Sequence, residues 1–182
     1  IKNRAAIEIE IIQGNRVTVG SITISGASKF SQKELLKLFT IGEADMILIN
    51  YFTHKDRYSD LALNQGIELM NNFYFNSGYI DFKVESVNST LSEDKKKIYI
   101  DIKISEGIQY KLGKVSFEGE LGNQTPDSLR ELLTIKTGDI FNFQEVVSDI
   151  QTITDVYTDQ GYAFANINPI TKDLLDTVDV NI

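Results

Sequence analysis

Apolar and polar residues alternate along two short stretches far apart in the chain. In VGSITISG (residues 19–26), Ile22 and Ile24 fall on one face. In LGKVSFEG (residues 112–119), Val115 and Phe117 do the same. A period of two predicts a strand in each, ended by Gly26 and Gly119 where the chain must turn. Two longer stretches carry a helical period. Leu63, Ile67, Met70 and Tyr74 are spaced 4, 3 and 4 apart, and so are Val146, Ile150, Ile153 and Tyr157. Each set forms one face of a helix, with Gly78 or Gly161 at its C-terminal end and Tyr79 or Tyr162 directly after. Shorter helices precede them. Ser31 and Thr125 are predicted N-caps, Glu34 stands at capping-box spacing from Ser31, and Pro126 takes a first helical position. A β-hairpin closes each set. Its first strand is predicted at 81–87, or at 164–167 in the later set, and its second at 98–104, or at 177–182. Residues 89–97 read as the polar loop of the first hairpin, and Ile98, Ile100, Ile102 and Ile104 line one face.

The two sets are copies of one unit. IEIEIIQGNRVTVGSITISG (residues 7–26) returns 93 residues later as IDIKISEGIQYKLGKVSFEG (residues 100–119), with Ile7/Ile100, Ile9/Ile102, Ile11/Ile104, Gly14/Gly107, Gly20/Gly113 and Gly26/Gly119 matching. The offset becomes 94 at the short helices and 83 at the long ones, so the first copy holds about 11 extra residues between its helices. The order is β-α-α-β-β, twice. One apolar face per strand and one stripe per helix predict an α+β fold, each unit a three-stranded mixed sheet covered by two helices. Residues 1–16 read as the last strand of a preceding unit, 17–108 as one module, and 109–182 as a second whose last strand is cut short. The chain begins with Ile and reads as a fragment. Units this small bury a modest fraction of their surface, so modest stability is expected. The joint near Gln109 and Tyr110 has no Gly/Ser/Pro linker, which predicts limited bending.

Composition narrows the function. A net charge of −8 disfavours nucleic acid. The absence of Cys excludes disulfides and Cys-ligated zinc, and no apolar run approaches the roughly 18 residues of a membrane-spanning helix. His54 is the single His, with no equivalent in the second copy and no partner nucleophile, and reads as a surface residue. Asp149, Asp155 and Asp159 read as the solvated face of the second long helix. Glu93, Asp94 and Lys95–Lys97 read as a charged hairpin loop, and no glycine cluster has phosphate-loop order. No catalytic residue, metal site or cofactor is expected. Met46, Ile47, Leu48, Ile49, Tyr51 and Phe52 form an apolar segment that either covers the helix ends or docks a partner.

The β-α-α-β-β order, the Gly at each strand end, the Gly-Tyr after each long helix and the Glu106-Gly107 pair leading into the next strand resemble the POTRA family. The resemblance spans the chain and is strongest to the third and fourth POTRA modules of outer-membrane protein assembly factors. The tail departs by one residue, Gln13 in place of the Glu of the Glu-Gly pair. The resemblance implies a periplasmic scaffold, part of an outer-membrane protein, with neighbouring POTRA modules and a C-terminal barrel in cis. It implies docking of accessory lipoproteins and transient contact with unfolded outer-membrane proteins through β-augmentation. The edge strand it implies is Asp81, Phe82, Lys83, Val84, Glu85, Ser86 and Val87. A two-partner secretion translocator and a barrel-less cell-division scaffold are the alternative readings.

Overall fold

The computed structural model describes residues 10, 16–42, 56–162 and 166–182, and for 173 and 174 the backbone alone. The first unit consists of β1 (Thr18–Ser25), α1 (Gln32–Leu36), α2 (Asp60–Asn76), β2 (Lys83–Leu91) and β3 (Lys97–Ser105). The second consists of β4 (Lys111–Ser116), α3 (Pro126–Arg130), α4 (Phe143–Asp159), β5 (Ile170–Leu174) and β6 (Thr177–Asn181). Each unit is α+β, with a three-stranded mixed sheet in the order β1-β3-β2 or β4-β6-β5. The central strand, β3 or β6, pairs parallel with β1 or β4 and antiparallel with β2 or β5.

The helices start where the side chains predict. Ser31 Oγ accepts from the Glu34 amide, and the Glu34 carboxylate accepts from the Ser31 amide at 2.9 Å, a complete capping box. Thr125 and Ser128 close the same box at α3, with Pro126 at the first helical position. Both long helices have polar caps, Ser59 and Asn142. After each long helix a Tyr amide reaches back to the hydroxyl-bearing Tyr of the stripe, Tyr79 to the Tyr74 carbonyl at 2.9 Å and Tyr162 to the Tyr157 carbonyl at 3.0 Å.

The first core joins Ile22, Ile24, Ile98, Ile100, Ile102 and Ile104 to Leu35, Met70 and Tyr74. In the second unit, Leu112, Val115, Val178 and Val180 pack on Val146 and Phe141, beside a smaller cluster of Leu129, Ile153 and Tyr157. The long-helix stripe faces the core as predicted, with Ile67 and Ile150 partly buried at its side, and the buried face includes Gly66 and Asp149 as well. Asp149 is therefore not on the solvated face. It occupies the position of Gly66, one turn from Val146, and the residue is 2 % exposed.

Two strand boundaries differ from the sequence expectation. β2 starts at Lys83 and runs to Leu91, so the hairpin loop shrinks to residues 92–96. A nine-residue partner strand, β3, supplies pairing positions out to Ile98 and draws Asn88–Leu91 into the sheet. In the second unit the first hairpin strand is Ile170–Leu174, not 164–167. Residue 167 lies outside any strand, and 164 lies outside the described residues. This hairpin turns through Leu175 and Asp176, with Leu174 paired to Thr177, so the strand sits closer to β6 in sequence. Leu175 has φ of 43° and is 96 % exposed, a left-handed conformation that favours glycine at the first position of such a turn. Leu175→Gly is expected to raise stability by about 0.5–1 kcal/mol, read as a higher urea midpoint at unchanged slope.

Candidate partner-binding edge

In a three-stranded sheet two strands are edges, and among the described residues one of each pair is engaged by a further segment. The outward side of β1 is engaged at its start. The Val19 amide donates to the Asp56 carbonyl at 2.7 Å, and the Val17 carbonyl accepts from the Tyr58 amide at 3.1 Å. β4 is engaged in the same way by Gly138–Phe141 through Leu112 and Tyr110. Among the described residues, β2 and β5 pair with no strand other than β3 and β6.

The register states which backbone groups β2 offers. The Ser92 amide donates to the Lys97 carbonyl at 2.9 Å, so this pair exchanges bonds across the hairpin. Antiparallel pairs alternate between bonded and non-bonded. Thr90/Tyr99, Asn88/Asp101 and Ser86/Lys103 are then the bonded pairs, and Val87, Ser89 and Leu91 turn their amides and carbonyls away from β3. Cross-strand partners share a face. Opposite buried Ile102, Ile100 and Ile98, those three side chains stand on the helix side. Val87 is nevertheless 40 % exposed and Leu91 50 %. The register slips between Val84 and Ser86, where Glu85 is the extra residue. Its carboxylate meets Lys103 Nζ at 2.7 Å on an exposed surface.

The seven residues expected at the edge divide. Lys83, Val84, Glu85, Ser86 and Val87 lie in β2. Asp81 and Phe82 precede it. Phe82 is buried, its ring stacked on Tyr74 with centroids 4.0 Å apart. Asp81 accepts from the Tyr110 hydroxyl at 2.8 Å and belongs to the joint between units. The sequence reading missed Asn88, which fell between its strand and its loop, and Ser89, Thr90 and Leu91, which it placed in the polar loop. The signal that finds them is the length of the alternating partner, Ile98–Ile104, which requires an equally long strand beside it. Residues 46–52 and His54 lie outside the described residues.

The end of β3, the strand that carries this edge, is tied to the loop after β1 and to α2 by a buried carboxylate. Glu106, directly after β3, accepts from the Ser28 amide at 2.9 Å, the Ser28 hydroxyl at 2.6 Å, the Lys29 amide at 3.1 Å and the Tyr74 hydroxyl at 2.9 Å. Burial pushes its pKa up, but the four hydrogen bonds outweigh burial and hold it below the ordinary carboxylate value. Burial, with the Glu106 bond and charge, pushes the Tyr74 hydroxyl up.

Next to this network lies the joint. The Tyr110 amide donates to the Gly78 carbonyl at 2.8 Å, Gln109 Nε2 donates to the Ser77 carbonyl at 3.0 Å, and Asn76 Oδ1 accepts from the Gln144 amide at the start of α4 at 3.1 Å. Ile80 packs on the second core. Gly78 has φ of 86°, and a Cβ there would stand 2.9 Å from the Tyr110 carbonyl oxygen. These bonds, all from the end of α2, give a physical basis for limited bending. No group of His, Asp or Glu among the described residues is arranged to hold a metal.

This arrangement, a two-helix layer on a β1-β3-β2 sheet repeated in tandem, is that of POTRA modules. The chain belongs to the POTRA family, described as a surface antigen variable number repeat, which matches residues 17–107 and 110–182. Two curated relatives are outer membrane protein assembly factors BamA. That of Neisseria meningitidis serogroup B is 28% identical over 180 residues, 98% of this chain and 22% of the relative. That of Nitratidesulfovibrio vulgaris is 28% identical over 172 residues, 92% of this chain and 21% of the relative. The chain thus spans about a fifth of the length of these relatives. The fold is similar to the Haemophilus influenzae BamA POTRA3–5 structure, with a TM-score of 0.70 and 19% identity over 92% of this chain and 65% of that one. It is also similar to Haemophilus ducreyi BamA lacking POTRA domains 1–3, with a TM-score of 0.66 and 16% identity over 90% of this chain and 28% of that one.

Proposed function

We propose that the chain is a periplasmic scaffold within an outer-membrane protein assembly factor. It holds extended segments of partners, both accessory lipoproteins and unfolded outer-membrane proteins, by strand addition to β2. It lies in cis with further POTRA modules and a C-terminal barrel, and acts without catalysis. The BamA relatives support the cellular setting. The observation that carries the mechanism is β2 itself, a nine-residue edge with three outward residues whose backbone polar groups have no strand opposite them among the described residues. Backbone pairing supplies affinity with little demand on sequence, which suits a machine that handles many clients.

The test is an amide-shift titration of the labelled chain with an extended peptide of alternating apolar and polar residues. Shifts concentrated at Lys83–Leu91 are expected. Ser89→Pro removes an outward amide and spares every bond to β3, so it is expected to abolish the shifts while costing less than about 1 kcal/mol of stability. Asn88→Pro removes an inward amide and is expected to cost about 2–3 kcal/mol. Shifts that survive Ser89→Pro would sink the strand-addition reading.

A further inference from the structure

We infer that strand capture by this pair of modules is confined to the first, and that its edge selects a segment with two apolar residues four apart. The inference rests on the strand-addition reading of β2. The outward backbone groups of β2 belong to Val87, Ser89 and Leu91, so the partner residues facing these three form the hydrogen-bonded pairs. Side chains that face each other across a sheet share a face. The partner residues opposite Val87 and Leu91 therefore land on the helix side, beside two side chains 40 % and 50 % exposed. There they extend the layer begun by Ile98, Ile100 and Ile102. The residue opposite Ser89 meets a hydroxyl. The intervening residues stand on the outer face next to Ser86, Asn88 and Thr90. On the other side of the bulge at Glu85 the ladder is out of step, which pins the incoming strand to the stretch from Ser86 to Leu91.

β5 differs. The Leu174/Thr177 pair closes a two-residue turn, so the positions facing away from β6 are Thr171 and Asp173, paired with Val180 and Val178. By register, Asp173 takes the place of Leu91 and Thr171 that of Ser89, and β5 starts at Ile170, short of the place that holds Val87 in the first module. A short edge with a charged residue at such a position resists strand addition.

The experiment uses two acetylated nonapeptides of one composition, each with two Leu among Thr, Ser and Lys. One has Leu at positions 3 and 7, on one face of a strand; the other has Leu at 3 and 6, on opposite faces. The first is expected to bind about 10-fold tighter, since one more apolar side chain is buried, with shifts at Ser86–Leu91 and none at Ile170–Leu174. Changing both Val87→Thr and Leu91→Thr is expected to erase the difference between the peptides, and Ser89→Pro to erase binding of both. Equal affinities with shifts at β2 would overturn the selectivity and leave strand addition standing. Comparable shifts at Ile170–Leu174 would overturn confinement to the first module. Absence of shifts at β2 with either peptide would remove the strand-addition reading as well.

Discussion

Glu106→Ala is expected to lower the stability of the first module by about 3–5 kcal/mol, the range for breaking a buried, hydrogen-bonded charged group. The Ser28 and Lys29 amides and the Ser28 and Tyr74 hydroxyls all donate to this carboxylate. Removing it leaves the Ser28 and Lys29 amides, the Ser28 hydroxyl and the hydroxyl of the fully buried Tyr74 without their acceptor. Glu106→Gln keeps the shape but puts a donor where acceptors are needed, so a loss of about 2–3 kcal/mol is expected. The effect depends on pH. The folded pKa of Glu106 lies below its unfolded value near 4.5. Its contribution is therefore fully present above about pH 4.5 and disappears as the pH falls through the lower, folded value. Urea denaturation followed on the first module should show a wide gap between the original chain and Glu106→Gln at pH 7. That gap should narrow markedly by pH 3. An undiminished gap at pH 3 would contradict an ionised Glu106 as the source. The loss also reaches the joint, because Gly107, with φ of 71°, packs directly against Asp81.

Asp149→Ala is expected to cost about 3 kcal/mol, localised in the second module. The Asp149 carboxylate accepts from the Thr134 amide at 2.9 Å, the Thr134 hydroxyl at 2.8 Å and the Ile135 amide at 3.0 Å. It closes the chain that follows α3 onto the side of α4. In the first module Gly66 takes this place, and the Phe39 ring lies where a Cβ would be. One repeat position thus has two solutions, a ring filling the space of a missing side chain and a carboxylate satisfying two amides. Hydrogen exchange of Asp149→Ala should show faster exchange at Thr134 and Ile135, with α2 and β1–β3 unchanged. Asp149→Asn keeps one acceptor oxygen, and about half the loss is expected. If Asp149→Ala leaves those two amides protected, the carboxylate is not what holds the loop.

These two carboxylates mark where reading the chain was easy and where it was not. The stripe of Val146, Ile150, Ile153 and Tyr157 identified α4 and its buried face. The same period places residue 149 on that face, yet its charge pointed to solvent. Position prevailed because three donors from Thr134 and Ile135 converge there, and these lie 14 and 15 residues away, beyond any local pattern. Glu106 was legible as part of the Glu106-Gly107 pair that leads into the next strand. Its partners, 77 and 78 residues back at Lys29 and Ser28, were not.

Much of the architecture was local and therefore readable. Ser31 with Glu34 and Thr125 with Pro126 started the short helices, because a cap needs only the three residues after it. Alternating isoleucines marked β3, and an offset of 93 residues exposed the tandem repeat and its β-α-α-β-β order. Strand limits depended on the neighbour instead. β2 reached Leu91 through polar residues because β3 was there to bond them, and the second hairpin moved to Ile170–Leu174 because its turn has two residues. Which edge stayed open depended on more distant segments still, Asp56–Tyr58 on β1 and Gly138–Phe141 on β4. A side chain's propensity acts within a turn or two. A backbone amide takes whichever acceptor the folded chain brings within about 3 Å, and that is a property of the assembled sheet.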